Sequence, residues 1–279
     1  MDKNAIAALI QEVFLTCPGN TVSPEDAIAP ELVGMPIYEE PLVGIASAGD
    51  PLFEEYKNVG IIGPWYMSPP EWLPGAKTVV SIFFPYTEQV KDGERKADGQ
   101  ETSPHWLHGR IEGQKHLEKM LGEISCRLTE KGVQNCVPYL DPRFRAVRGK
   151  AFPEYPEIRT YASNWSERHA AYASGLGTFG LSKGIITEKG MAGRLGSVIL
   201  DVEIPADVRP YTGIYDYCIN CGACVQRCPV QAIDPETGKE HPPCYARLKQ
   251  TRALYDPRMG CGKCQTAVPC ESCNPSKPK

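Results

Sequence analysis

Apolar residues recur with a helical period in two parts of the first 205 residues. Those between Ile6 and Phe14 follow the i, i+3, i+4, i+7 spacing of an amphipathic helix that packs on the body of the protein. A longer helix is predicted over residues 107–131, where leucine and isoleucine keep one face and Gly132 follows the last turn.

Other apolar runs are short and rich in β-branched residues, which is typical of strands. Such runs occur at 42–47 and 78–84, and a third, RLGSVILDVEI, occupies 194–204. The segment VQNCVPYL at 133–140 is also predicted to be a strand. Together with the helices, these strands predict an α+β fold, in which residues 1–205 form a body of mixed helices and strands (an α/β body).

Polar and proline-rich segments separate these elements. Residues 89–104 are predicted to form an exposed loop, and residues 141–163 an irregular stretch. Between them and the last strand, a helix with Ser166 as its N-cap ends at Gly175. The tail NPSKPK at 274–279 is predicted to be disordered.

Charge and hydropathy argue against two classes of protein, those that bind nucleic acid and those that span a membrane. The net charge of −4 and pI of about 5.8 give no basic footprint for nucleic acid. No run of eighteen apolar residues is long enough to span a membrane, and the N-terminus lacks a basic region and a twin arginine. We therefore expect a cytoplasmic protein without a membrane partner.

The pattern changes near residue 206, where cysteines, prolines and tight turns replace periodic apolar positions. Nine of the twelve cysteines lie between residues 218 and 273, and a chain without a secretion signal keeps them reduced. The stretch CINCGACVQRCP has the C-x2-C-x2-C-x3-C-P spacing of a bacterial ferredoxin. A structural zinc site, the alternative, usually has two C-x2-C pairs joined by a longer spacer.

One such motif supplies three thiolates to one 4Fe–4S cluster and its fourth to a second cluster. We assign to cluster one Cys218, Cys221, Cys224 and Cys270. We assign to cluster two Cys228, Cys244, Cys261 and Cys264. Cys273 is an alternative to Cys270 in the first set. The remaining three, Cys17, Cys126 and Cys136, are interpreted as buried thiols without a ligand role. The sequence thus predicts a C-terminal dicluster ferredoxin-like module over residues 206–279.

A ferredoxin leaves about 200 residues of this chain unexplained, so a catalytic module that receives the electrons is expected. The segment SNWSERHAAYASGLGTFG at 163–180 ends in three glycines, which suit close approach of a cofactor or tight packing of chain on chain. Glu167-Arg168, the Gly-Leu-Gly-x-x-Gly run and the Gly196-Ser197 strand precede the cluster motif in that order.

This order resembles that of the epoxyqueuosine reductase and reductive dehalogenase superfamily, and WLPGAKTVVSIFFPY at 72–86 resembles its early strand. The resemblance implies a nitroreductase-like core that holds base-off cobalamin beside a cluster. By position it implies these corrinoid-lining residues: Gly175, Leu176, Gly177, Gly180, Gly196 and Ser197. No aspartate lies two residues before His105 or His108, so the signature of a histidine ligand to cobalt is absent.

The resemblance also indicates where a proton donor would stand. Tyr161 occupies the place of a catalytic aspartate, six residues before Glu167. A phenol is neutral at pH 7 and can protonate a developing anion, more readily beside a cation such as Arg168. The expected substrate is a small molecule or a modified nucleoside, and the expected partner is an external low-potential electron donor.

Two alternatives stay open at this level. In one, the body docks a partner, such as a corrinoid protein, and the chain is an electron-transfer protein with no cofactor beyond the clusters. In the other, the body binds flavin in place of cobalamin.

Overall fold

The computed structural model describes residues 1–277 of the chain. Its helices are α1 Lys3–Thr16, α2 Leu52–Glu55, α3 Pro69–Trp72, α4 Glu88–Lys96, α5 Pro104–Glu130, α6 Glu167–Ala173, α7 Ala223–Gln226 and α8 His241–Tyr255. Its strands are β1 Leu42–Ser47, β2 Thr78–Pro85, β3 Asn135–Cys136, β4 Lys150–Phe152, β5 Tyr155–Thr160, β6 Gly177–Phe179, β7 Ile185–Thr187, β8 Gly193–Leu200, β9 Ile233–Asp234 and β10 Gly238–Lys239. This mixed content confirms the predicted α+β fold class.

A four-stranded antiparallel sheet in the order β1-β2-β8-β3 forms the centre of the body. All eight residues of β2 are buried, because helices or loops cover both faces of the sheet. Val80, Ile82 and Phe84 face the core under α1 and α5, whereas Val79 faces the second core, which contains Trp165 and Ala170. This alternation follows from the two-residue period of a strand.

All three predicted helices of the body are confirmed in position, as α1, α5 and α6, although the hydroxyl of Ser166 bonds to the ring of His169 rather than capping the backbone of α6. The side chain of Asp2 accepts a hydrogen bond from the backbone N–H of Ala5 at 2.8 Å and caps α1. Ser103 does the same for α5, from the N–H of Trp106 at 3.1 Å. These caps satisfy backbone donors that have no partner within the helix. Within residues 1–277, no helix is long and apolar enough to cross a membrane.

Segments without predicted helices or strands contain regular structure. Residues 89–104 were predicted as an exposed loop, but α4 covers half of them and buries Val90 in the core of the body and Glu94 against the cluster module. Residues 141–163 contain the hairpin β4–β5 rather than an irregular chain. The module itself includes the fifteen-residue helix α8. Each segment carries many charged side chains, so its sequence lacks the apolar periodicity by which a half-buried helix or strand is recognised.

Smaller corrections concern the ends and the isolated thiols. The predicted strand at 133–140 is a two-residue bridge, β3, followed by a 3-10 turn at Pro138–Leu140. In the tail, Asn274 is buried and donates to Glu188 at 3.2 Å, so the predicted disorder is wrong there, while residues 278–279 lie outside the described part. Cys126, predicted as buried, is exposed.

Candidate iron–sulfur and cofactor site

The first four predicted cluster ligands line one small cavity. Cys218, Cys221 and Cys224 lie around the tight turn that Gly222 makes with a φ of +71°, and Cys270 faces them from the C-terminal segment. Burial, together with Cys224, Cys218 and Cys221, raises the pKa of the Cys270 thiol to about 12. The structure therefore brings these four thiols together around a shared space.

Cys273, the alternative ligand, lies outside that cavity. Its side chain is exposed, and its thiol donates to the backbone carbonyl of Pro269 at 3.4 Å. Cys270 is half-buried against Met191, and its backbone carbonyl accepts from the N–H of Met191 at 2.9 Å. These positions favour Cys270 as the fourth ligand of the first set.

The second set of thiols also converges. Burial raises the pKa of Cys264, and the thiols of Cys244 and Cys228 raise it further. Burial likewise raises the pKa of Cys261 to about 12, with smaller contributions from Cys264 and Cys244. Because iron binds thiolates, cluster assembly at these raised pKa values must release protons.

The two sets of thiols are adjacent to each other. Burial raises the pKa of Cys224 to about 11, and Cys264 of the other set is the largest charged contributor. A tetrahedral zinc site requires sulfurs roughly 3.8 Å apart, given a Zn–S bond of about 2.3 Å. Within residues 1–277, no three His, Cys, Asp or Glu side chains approach closely enough to hold a single ion.

Helix α4 anchors the cluster module to the body. The buried Glu94 carboxylate accepts from the backbone N–H groups of Ser103 at 2.7 Å and Gly262 at 3.0 Å. In the opposite direction, the ammonium group of Lys263 donates to the backbone carbonyl oxygens of Glu94 and Ala97, at 3.2 and 2.8 Å. These bonds fix the Cys261–Cys264 loop against the body.

Arg168, predicted as a catalytic residue, borders a cleft beside the second set of thiols. Its side chain is exposed to solvent, yet the surrounding protein desolvates it and lowers its pKa, and Arg194 lowers it further. The thiols of Cys264 and Cys244 lie close enough to oppose that shift. Exposure together with desolvation indicates a side chain that lines a recess rather than an outer surface. We call this space the arginine cleft.

The carboxylate of Glu167, at the start of α6, is an unsatisfied buried acceptor. Both of its oxygens are buried without a hydrogen-bond partner, although the side chains of Ser197 and Trp165 lie beside it. Burial raises its pKa to about 7. Buried polar groups without a partner are rare in folded proteins and often mark the position of a bound ligand or water.

Tyr161 and Arg168 occupy neighbouring positions around α8. The ring of Tyr161 stacks on that of His241, with centroids 5.7 Å apart, and contacts Tyr245 edge-on at 5.9 Å. Burial lowers the pKa of His241 to about 4, and the charges of Lys183 and Arg168 lower it further. The hairpin β4–β5 and α8, neither of which was predicted, thus bring Tyr161 to the side of His241 that Arg168 influences.

The residues predicted to line a corrinoid mostly face protein. A Cβ on Gly177 would stand 1.9 Å from the carbonyl oxygen of Ile186, and one on Gly196 would stand 2.9 Å from the side chain of Leu121. A Cβ on Gly180 would meet Ile186 at 3.1 Å and lie 4.0 Å from the sulfur of Cys218. On these sides, the glycines permit chain to pack on chain.

The other three residues of that group also have protein neighbours. Gly175 ends α6 with a φ of +76°, and Leu176 packs in a small apolar cluster beside the first thiols. Ser197 is fully buried, and its hydroxyl accepts from the indole N–H of Trp165 at 2.9 Å. A role for these six residues in cofactor binding stays a prediction.

Sequence reasoning missed Glu167 as an acceptor and missed Arg110 and Arg194 beside Arg168. Arg194 had a usable signal, because it lies two residues before Gly196 and so shares a strand face with it. Arg110 had none, since one arginine in a helix with mixed charges is not distinctive.

The comparisons with known proteins agree with this architecture. The 4Fe–4S binding domain family matches residues 211–234. No curated protein matches the chain.

Solved structures match over most of its length. A reductive dehalogenase whose structure suggests a mechanism for B12-dependent dehalogenation gives a TM-score of 0.53 at 14% identity, over 82% of this chain and 29% of the dehalogenase. An epoxyqueuosine reductase gives 0.51 at 18% identity, over 82% of this chain and 61% of the reductase. Another epoxyqueuosine reductase, solved with an epoxyqueuosine-modified tRNA stem loop, gives a TM-score of 0.52 at 17% identity, over 95% of this chain and 66% of the reductase.

The chain thus spans less than a third of the dehalogenase and about two thirds or less of the reductases. At these identities the likeness concerns the fold, and it confirms the resemblance seen in the sequence at that level. The chain has the fold shared by epoxyqueuosine reductases and reductive dehalogenases, with a 4Fe–4S binding domain near its C-terminus.

Proposed function

We propose that this protein is an iron–sulfur reductase whose substrate is reduced in the arginine cleft. Cys218, Cys221, Cys224 and Cys270 would hold one 4Fe–4S cluster, and Cys228, Cys244, Cys261 and Cys264 the other. The observation that carries the proposal is the position of the second set, since Cys244 and Cys264 lie close enough to Arg168 to raise its pKa. A redox centre at the edge of a cationic cleft is suited to deliver electrons to a molecule bound there.

The residues of the cleft fit a corrinoid in chemical terms. The corrin ring carries carboxamide groups, whose N–H donors match the unsatisfied Glu167 carboxylate, and whose carbonyl oxygens match arginine donors. When bound, base-off cobalamin supplies a strongly reducing cobalt centre. The similarity in fold to a reductive dehalogenase that carries out B12-dependent dehalogenation supports this choice over flavin.

The chain's own residues would bind the substrate and supply its proton. Arg168 stabilises negative charge that develops on the substrate, because a guanidinium in a desolvated recess interacts strongly with an anion. Tyr161 donates the proton, and the stacked ring of His241 holds its position. With a pKa of about 7, Glu167 is partly protonated at neutral pH.

The proteins with related folds act on different substrates, so they indicate the substrate class of this chain only broadly. A small molecule or a modified nucleoside remains the proposal, with an external low-potential protein as electron donor. Reduced thiols in both sets suit a reducing compartment such as the cytoplasm.

Reconstitution tests the proposal. The protein is purified without oxygen, loaded with iron and sulfide, mixed with hydroxocobalamin or flavin mononucleotide, and passed through gel filtration. We expect about eight iron atoms per chain and near-stoichiometric corrinoid in the protein peak. If iron binds but neither chromophore co-elutes, the reductase proposal fails and the electron-transfer alternative takes its place.

A variant pair tests the proton donor. Tyr161→Phe removes the phenol and retains the ring, so we expect slower turnover and unchanged corrinoid retention. Tyr215→Phe is the matched control, because Tyr215 is exposed, with 47% of its surface accessible. Full turnover in Tyr161→Phe would remove this role.

A further inference from the structure

Three arginines from three different elements meet at the cleft. Arg110 belongs to α5, Arg168 to α6 and Arg194 to β8. The guanidinium of Arg194 donates to the side-chain oxygen of Gln114, which lies one helical turn after Arg110 on the same face of α5. Arg194 also lies close enough to lower the pKa of both other arginines.

None of the three has a carboxylate partner within residues 1–277. Seven other arginines of the chain form ion pairs, among them Arg95 with Glu271 at 2.7 Å and Arg127 with Glu12 at 2.6 Å. By contrast, the Nε of Arg110 is buried without a hydrogen-bond acceptor. Arg227 and Arg247 also have a buried nitrogen without an acceptor, but each donates through another nitrogen to a backbone carbonyl. The three arginines named here differ from these two because Arg194 lies close to both Arg110 and Arg168.

The carboxylates nearest the cleft do not neutralise it. Glu118 accepts a hydrogen bond from Gln114 at 3.1 Å and forms no ion pair with an arginine. Burial keeps Glu167 partly protonated at neutral pH. Desolvated cations without partners are costly, so the arrangement is favourable when an anion occupies the space between them.

We propose that Arg110, Arg168 and Arg194 together bind a carboxylate or phosphate group of the molecule that enters the cleft. The inference rests on the proposed reductase function and deepens it, because it assigns a negative charge to that molecule. Arginine suits this role, since its fixed fork of donors matches both groups in bidentate geometry. The anion belongs either to the substrate or to the phosphodiester of a cobalamin nucleotide loop.

Calorimetric titration of the cluster-loaded protein with inorganic phosphate tests the site directly. We expect saturable binding to the wild type and at least about tenfold weaker binding in both Arg168→Gln and Arg194→Gln. Arg168→Lys should recover part of the affinity, because it restores the charge without the fork. Arg252→Gln is the matched control, since Arg252 is exposed and already paired with Asp256 at 3.2 Å.

Three results would overturn the proposal. The first is no phosphate binding by the wild type at millimolar concentration. The second is equal weakening in Arg252→Gln. The third is an altered cluster reduction potential with unchanged phosphate affinity, which would assign the arginines to balancing cluster charge. Iron content and melting temperature of each variant show that it is folded.

Two corrinoids identify the source of the anion. Cobinamide lacks the nucleotide loop and its phosphodiester, whereas hydroxocobalamin carries both. If the arginine variants weaken retention of hydroxocobalamin only, the anion belongs to the cofactor. If retention of both is unchanged while phosphate binding is lost, it belongs to the substrate. Should the wild type retain neither corrinoid yet bind phosphate, the cobalamin reductase proposal fails while the anion site stands.

Discussion

The body and the cluster module of this protein are held together by different forces. Two large clusters of buried apolar side chains, on opposite faces of one sheet, stabilise residues 1–205. Beyond residue 205, the described chain contributes six residues to the buried apolar set: Tyr211, Tyr217, Ala232, Ile233, Cys264 and Val268. Hydrophobic burial stabilises the body, whereas the module has few buried apolar residues and is joined to the body by polar contacts with α4.

Removal of iron should produce the largest difference in stability between the body and the cluster module. Structural metal sites contribute on the order of 10 kcal/mol to small domains that they stabilise. We expect a chelator under reducing conditions to abolish hydrogen-exchange protection in α8 and the 218–228 segment, while β2 and β8 stay protected. Uniform loss across both regions would show that the body also depends on the clusters.

A cavity in the core of the body should destabilise the body and leave the cluster module unchanged. Leu121 of α5 is fully buried against the sheet, so Leu121→Ala is expected to destabilise the body by about 2–5 kcal/mol. Denaturant unfolding followed by tryptophan fluorescence measures this loss, because all four tryptophans lie in the body. Iron content per folded chain should not change, and a parallel loss of iron would argue that the two regions are coupled.

Acidification should weaken the body through His116. This side chain is 3% exposed, neither ring nitrogen has a partner, and burial lowers its pKa to about 4. Because the unfolded histidine binds a proton near pH 6.5, stability is complete above that pH and declines as pH falls towards 4. From pH 7 to 5 the expected loss is about 2 kcal/mol.

Denaturant unfolding at both pH values measures this loss. His116→Leu removes the titrating group, so its stability should change less over the same interval. An equal pH dependence in wild type and variant would assign the effect to other groups.

The sequence could predict those parts of the molecule where one physical signal dominates. Short apolar runs rich in β-branched residues locate β1, β2 and β8, and leucine and isoleucine on one helical face locate α5. The thiol spacing of Cys218, Cys221 and Cys224 likewise indicates their shared ligand. Each of these signals is local and is carried by a single residue class.

The rest depends on contacts between distant segments. Helix α4 has few apolar residues, so its sequence does not indicate that it is buried. Its burial depends on the hydrogen bond between Glu94 and the backbone of Gly262, 168 positions away. The arginine cleft is assembled from α5, α6 and β8, so no local pattern marks it. Tyr161 was proposed by position alone, and its stacking on His241 requires two elements whose pairing the sequence does not indicate.

The central claim is that eight cysteines form two sets, with Cys264 in one and Cys273 in neither. Iron and EPR analysis of the reconstituted Cys264→Ser and Cys273→Ser variants tests it most directly. We predict that Cys264→Ser retains about four of the roughly eight iron atoms and the signal of one cluster, whereas Cys273→Ser retains both clusters. Full iron in Cys264→Ser, or loss of half the iron in Cys273→Ser, would contradict the assignment.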